Sequence, residues 1–425
     1  MSERIVFIHL PGETDAVPAG RLTMVEQGLQ VQASRFAYGR RYLHRANAVP
    51  VDPIALSLAG GRGSAELVPP DGLALFGALR DATPDAWGRR VIENRLKAPP
   101  NGLPESTYLD HAGRHRAGAL DIRPTPTSRP DDGALPSIMD LGHLLEAAGR
   151  IEQGEPVPAH LEMFFAGGPS VGGARPKAVI HVDDGEWIAK FPSANDRFNV
   201  PVIERATLEL AREAGLDVPC TRIVSLTDEQ QVMLIERFDR VPLPNGIGRR
   251  HMVSALTLLA LHEQDSPDSS YAAIADALGE YGVKGHIARD RGELYARMVF
   301  NILVSNDDDH LRNHAFLYDE KAAGWRLSPL YDVVPKPQAA QERMLHLSVG
   351  PQGRVARLDN ALAGAGRFGL LPPDAAAIVD RVVSAVCGWR DAFERMGVSA
   401  RDSDWIATAF RRAGDIGIRE VERHL

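Results

Sequence analysis

Apolar and polar side chains alternate near the start of the chain, in Arg4-Ile5-Val6-Phe7-Ile8, Gly20-Arg21-Leu22-Thr23-Met24 and Arg35-Phe36-Ala37-Tyr38, with turn residues between them. A period of two suits side chains that point in turn to the two faces of a sheet, so a small, mainly antiparallel β-domain is expected. It runs into helical sequence around 75–96, where Pro84, Asp85 and Trp87 precede Gly88-Arg89-Arg90. Residues 123–136, rich in Pro, Asp and Ser, read as a connecting loop. Ser137 then fits an N-cap for a helix with apolar residues at Ile138, Leu141, Leu145 and Ala148.

Farther on, a glycine-rich run, Gly167-Gly168-Pro169-Ser170-Val171-Gly172-Gly173, precedes a hairpin pattern of 178–182 and 186–191 turning at Asp183-Asp184-Gly185. A helix over 201–214 ended by Gly215, and strands at 222–225 and 232–235, follow. Beyond about 250 the period becomes helical. Leu294, Tyr295, Met298, Val299, Ile302 and Leu303 share one buried helix face, a second hairpin covers 315–318 and 325–327, and helices are expected at 374–396 and 402–421. The fold class expected is α+β: a small N-terminal β-rich domain plus a two-lobed, protein-kinase-like fold whose C-terminal lobe is mainly helical. The segments are 1–122, a linker at 123–136, an N-lobe-like region at 137–240 and a helical lobe at 241–425.

Composition narrows the function. The 425 residues are 44% hydrophobic and 24% charged, a globular profile. No apolar run is long enough to span a membrane, and the N-terminus reads as a strand rather than a secretory signal. Two cysteines in apolar sequence, Cys220 and Cys387, make neither a disulfide framework nor a zinc site, which points to a reducing cytoplasm. With 56 acidic against 48 basic residues the net charge is −8, which disfavours direct nucleic-acid binding as the main activity.

The candidate chemistry lies in Asn306-Asp307-Asp308-Asp309-His310-Leu311-Arg312-Asn313, after a buried helix and before a strand. Three adjacent carboxylates repel, so a compensating cation or proton is expected nearby. Protein kinases place a catalytic Asp and a metal-binding Asn five positions apart, then a second metal-binding Asp. Asp308 and Asn313 have that spacing, and Asp332 follows the second hairpin. Asn and Asp would hold Mg²⁺ against ATP phosphates while Asp308 orients the attacking hydroxyl. A carboxylate–histidine metal hydrolase using His310 is the competitor. It leaves the glycine run and Lys190 without a role, so His310 is expected to support the loop by hydrogen bonding.

Upstream, Ser170, Val171, Gly172 and Gly173 can bring backbone N–H groups to phosphates, and Lys190 on the outgoing strand can reach them. Lys177 either touches phosphate or is an ordinary surface lysine. Glu204 either pairs with Lys190 or is an exposed first-turn residue. Glu236 and Phe238, in Glu236-Arg237-Phe238-Asp239, fall where an adenine-binding hinge would lie.

Taken in order, Ser170–Lys177, Ile188-Ala189-Lys190-Phe191-Pro192, Glu236–Asp239, Asp308–Asn313 and Leu327-Ser328-Pro329-Leu330-Tyr331-Asp332 resemble the HipA-type serine/threonine kinase toxins. The resemblance extends to the N-terminal β-domain and the segment Pro84–Arg89. It implies an ATP- and Mg²⁺-dependent protein kinase with Asp308 catalytic, Asn313 and Asp332 on the metal, and Lys190 on the nucleotide. Lys177, His310 and Asn313 are also counted with the ATP site. Ser170 would take the autophosphorylated position. The implied partners are a helix-turn-helix antitoxin, through which alone DNA would be contacted, and a protein substrate of the aminoacyl-tRNA synthetase class. Arg175-Pro176 departs from the Gln-Glu or Gln-Pro common in the family. Rival functions are a kinase for a lipid or small molecule, and a catalytically silent co-repressor; the acidic balance argues against the first, and intact Asp308, Asn313, Asp332 and Lys190 against the second.

Overall fold

A computed structural model describes residues 1–58, 66–129, 133–162, 173–227 and 230–425. Its contacts group into two compact units, 1–195 with 221–253, and 196–220 with 254–425.

The first unit opens with the expected β-domain. Strands β1 (Ser2–His9), β2 (Ala16–Gln27), β3 (Gln30–Tyr38) and β4 (Leu120–Arg123) form one antiparallel sheet in the order β3-β2-β1-β4. Val6, Ile8, Leu22, Met24 and Phe36 are all buried in it. The helical stretch near 75–96 is two helices, Gly77–Asp81 and Ala86–Leu96, the second capped by Asp85, whose carboxylate accepts from the Gly88 N–H. Part of the 123–136 segment is tied down: Pro136 O accepts from His181 N–H at 2.8 Å.

A second antiparallel sheet has the order β5-β6-β8-β7, from β5 (Lys177–Val182), β6 (Gly185–Lys190), β7 (Thr221–Ser225) and β8 (Gln231–Glu236). Ser137 does cap, with a reciprocal bond from its N–H to Asp140, but a single 3₁₀ turn, Ile138–Asp140, comes before the Leu141–Gln153 helix. That helix lays Leu144, Ala147, Ala148 and Ile151 on Ala178, Ile180, Ala189, Val232 and Leu234, and Trp87 and Val91 join the same core. Each fully buried Leu or Ile there contributes about 1.5–3 kcal/mol.

The second unit is helical. Val200–Glu213 packs on Pro372–Cys387 and Trp389–Arg395, and Ile287–Val304, buried along most of its length, is its central helix. Two expectations fail here. The helix expected at 374–396 is broken at Gly388, which caps one helix and starts the next. The helix expected at 402–421 exists only as Ala400–Ile406 and Ile418–Glu422, joined by 3₁₀ turns, because Gly414 and the left-handed Gly417 (φ 91°) interrupt it. Both cysteines are exposed and unpaired, contrary to the apolar setting their sequence neighbours suggest. Among the described residues no helix is long and apolar enough to cross a membrane.

Candidate active site

The Ile287–Val304 helix ends on Ser305, held left-handed at φ 53°, and the chain turns at once into the acidic run. Its three carboxylates meet three different fates. Asp307 pairs with Lys336 Nζ at 2.8 Å and accepts from Gln338 Nε2 at 2.7 Å. Asp308 is exposed. Asp309 is 1% exposed, and its Oδ2 accepts from Tyr271 Oη (2.6 Å), Asn301 Nδ2 (2.7 Å) and His314 Nε2 (2.9 Å). Lys336 supplies the expected cation at Asp307, and His314 contributes a hydrogen bond to Asp309. Burial alone would raise the Asp309 carboxyl, but His314 and the Tyr271 hydroxyl outweigh it and hold it below its usual range. Burial, with Asp309 beside it, holds the Tyr271 hydroxyl well above its own.

The loop closes on itself around Asp308. Its carbonyl accepts from the His310 N–H (2.8 Å) and from Asn313 Nδ2 (3.0 Å). With its amide nitrogen used there, Asn313 has its carbonyl oxygen, a hard donor, left for other work. Leu311 N–H donates to Ser266 Oγ at 3.2 Å, and Arg312 pairs with Glu263. Among the described residues the His310 side chain makes no hydrogen bond: its Nδ1 is buried without a partner there, and its ring meets His346 edge-on at 5.9 Å. Among the described residues no three His, Cys, Asp or Glu side chains gather as a metal site, which leaves the hydrolase reading without a ligand set.

The hairpin Ala315–Asp319 and Gly324–Leu327, with Phe316 opposite Leu327, returns the chain to the same loop. Tyr331 Oη donates to Arg312 O at 2.6 Å, so Asp332 follows a residue fixed on the loop. Asp332 itself is left-handed at φ 60°, a conformation uncommon outside glycine and most accessible to Asn and Asp. Glu204 lies in the same unit and is 2% exposed, so it is not the exposed first-turn residue.

The other candidates belong to the first unit. Ser170, Val171 and Gly172 lie outside the described residues; Gly173 follows them at φ 113°. Lys190 ends β6, directly opposite Lys177. Lys177 is not a surface lysine. It is 3% exposed, its ammonium sits 2.8 Å from Asp85 Oδ2, and its carbonyl accepts from Trp87 Nε1 at 2.8 Å. In Glu236-Arg237-Phe238-Asp239, Glu236 is exposed and Phe238 half-buried, while Arg237 and Asp239 are buried and joined at 2.8 Å.

Sequence reasoning missed this second tier. Arg237 Nη1 and Nη2 donate to the carbonyls of His115 and Arg116 at 2.9 and 2.8 Å, Asp239 accepts from Gly118 N–H at 2.7 Å, and Glu186 accepts from Arg240 at 2.7 Å. Partners 54 to 122 positions apart leave no local signal. Asp85 left a partial one, since an Asp three residues before Gly88 at a helix start is an N-cap pattern.

The HipA-like C-terminal domain model matches residues 169–389, just over half of the chain. "Putative kinase Y4dM" of Sinorhizobium fredii is 30% identical over 78% of this chain and 76% of its own length. A "Putative kinase" of Haemophilus influenzae is 28% identical over 42% of this chain, and the match spans 57% of that relative. Among solved structures, HipA in the Shewanella oneidensis toxin–antitoxin complex of HipA, HipB and operator DNA superposes with a TM-score of 0.68 at 18% identity, covering 98% of this chain and 97% of that one. The fold is thus that of a kinase-like α+β protein. This chain belongs to the HipA-like family.

Proposed function

We propose that the protein is an ATP- and Mg²⁺-dependent serine/threonine protein kinase acting as a HipA-like toxin. The observation that carries the proposal is the catalytic loop, where an exposed Asp308 stands beside a buried, triply bonded Asp309 and opposite Asn313. Family membership and relatives named as kinases support it.

In this reading Asp308 takes up the proton of the attacking hydroxyl and orients it. The donor set suits Mg²⁺, because Asn313 offers a carbonyl oxygen and Asp332 a carboxylate, both hard ligands. When bound, the ion neutralises the charge developing on the transferred phosphoryl group. Lys190 steadies the α- and β-phosphates, Glu236 and Phe238 border the adenine, and Ser170 is the self-modified residue. A helix-turn-helix antitoxin is the expected partner, by analogy with the HipB bound in the Shewanella structure. An aminoacyl-tRNA synthetase is the substrate class the family resemblance implies.

With labelled ATP, Mg²⁺ and a cell extract, the wild type should label a protein substrate and its own Ser170 peptide. Asp308→Ala should lower labelling by about 10²–10⁴-fold, the usual range for a lost proton-transfer group, with the melting curve unchanged because the side chain is exposed. An equally active Asp308→Ala protein would sink the assignment. Labelled substrate with Ser170 unmodified would remove only the self-regulation.

A further inference from the structure

The hairpin Arg240–Leu243 and Gly246–Arg249 sets Arg249 directly opposite Arg240, so the two side chains share a face. Arg240 is fully engaged: it bonds Glu186 (2.7 Å), Asp239 (2.9 Å), Gly118 O (3.3 Å) and Arg116 O (3.0 Å). Arg249 is 7% exposed, yet its guanidinium makes no hydrogen bond among the described residues, and its Nη1 is wholly enclosed. Nearby, His9 is 8% exposed with Nδ1 unpartnered, and it feels Arg249, Arg240 and Arg123.

The charges around this point do not balance. Arg116, Arg123, Arg237, Arg240 and Arg249 are five cations; Asp121, Glu186 and Asp239 are three carboxylates linked to them by ion pairs or field. The two histidines add nothing at neutral pH. Burial and then the neighbouring arginines push His9 down to about 2, and burial pushes His115 to about 4 despite Glu186. Asp110, the next acid, is committed to Arg4. An excess of two buried positive charges, one on a guanidinium without partners, is among the costliest arrangements a protein interior can hold. Burial, reinforced by Arg240, holds the Arg249 guanidinium well below its usual value.

We propose that Arg249, with His9 beside it, forms a binding site for a small doubly charged oxyanion of the phosphate or sulfate class, in the first unit and separate from the proposed nucleotide site. The guanidinium fork matches two oxygens of such an anion, and two negative charges cancel the excess of two.

Thermal unfolding of the full chain tests this, with phosphate, sulfate or acetate titrated against chloride at matched ionic strength. Phosphate and sulfate should raise the melting temperature of the wild type saturably, by about 2–6 °C at high occupancy. Acetate should give less. Arg249→Met should abolish the saturable rise while melting in chloride no lower than the wild type, because it removes an uncompensated charge. Arg249→Lys, which keeps the charge but loses the fork, should weaken the response and serves if the Met variant does not fold. Lys190→Met should keep the full response. No saturable rise in the wild type, a full rise in both Arg249 variants, acetate equal to phosphate, or loss of the rise in Lys190→Met would each overturn the proposal.

Discussion

The proposed catalytic loop at 306–314 and the Glu236–Asp239 segment solve the same problem by different means. Each sets accessible side chains beside buried, anchored neighbours, and each does so by alternation. Asp308 is exposed beside buried Asp309; Glu236 and Phe238 are accessible beside buried Arg237 and Asp239. The anchors differ. Asp309 rests on one histidine and two neutral donors, all within 271–314. Arg237 and Asp239 rest on further ions and on carbonyls at 115 and 116. A buried carboxylate held mainly by hydrogen bonds depends on their geometry, whereas a buried network of ions depends on each ion keeping its partner.

If that contrast holds, the largest loss of stability should follow the removal of one partner from the buried ion network. Arg237→Met leaves Asp239 and Glu186 with only Arg240 between them and should cost about 3–5 kcal/mol, the range for removing one partner of a buried pair. Denaturant unfolding measures it, and a cost under 1 kcal/mol would break the comparison. Asp309→Asn keeps shape and an oxygen that can still accept all three bonds, but it removes the charge that assists them and puts an amide N–H₂ where Oδ1 has no donor to meet among the described residues. A cost of about 1.5–3 kcal/mol is expected, together with a fall in kcat larger than any change in KM for ATP. If kcat is unaffected, the brace does not set the geometry of the reacting groups.

Acid should sharpen the contrast further. His251 lies in the first unit and is locked neutral: Nε2 faces Val51 O at 3.0 Å and Nδ1 accepts from Met252 N–H at 3.1 Å, and burial pushes it to about 4, as it does His115. A histidine depressed in the folded state binds its proton only on unfolding. Stability is therefore complete above the unfolded value of roughly 6.5 and falls as pH drops from there towards 4. His251→Gln should flatten part of that slope, by about 1–2 kcal/mol across the window; an unchanged slope would place the proton uptake elsewhere. The smallest effect belongs to Glu236→Gln. Exposed and outside the buried network, it should change stability by less than about 0.5 kcal/mol while shifting the KM for ATP modestly.

Much of this was legible in the sequence. The β-domain, both hairpins and the buried helix before the acidic run follow from periods of two and of 3.6. The proposal of Asp308, Asn313 and Asp332 as the site rests on spacing. The division of labour among Asp307, Asp308 and Asp309 does not follow from it, because three neighbouring carboxylates look alike until Lys336 and His314 are in place. The burial of Lys177 was not legible because its partner, Asp85, is ninety-two positions away. The last helix was misread because two glycines outweigh a helical spacing of apolar residues.

The Asp85–Lys177–Trp87 contact also bears on how the chain can be dissected. The family model begins at 169, which invites cutting there to isolate a minimal kinase. Such a cut would remove Asp85 from a buried ammonium and strip Trp87, Val91 and the Leu141–Gln153 helix from the face of the second sheet. The segment that is inherited as a unit is therefore not one that can stand alone. A truncated chain beginning at 169 should aggregate, and adding back residues 84–162 as a separate peptide should improve its solubility.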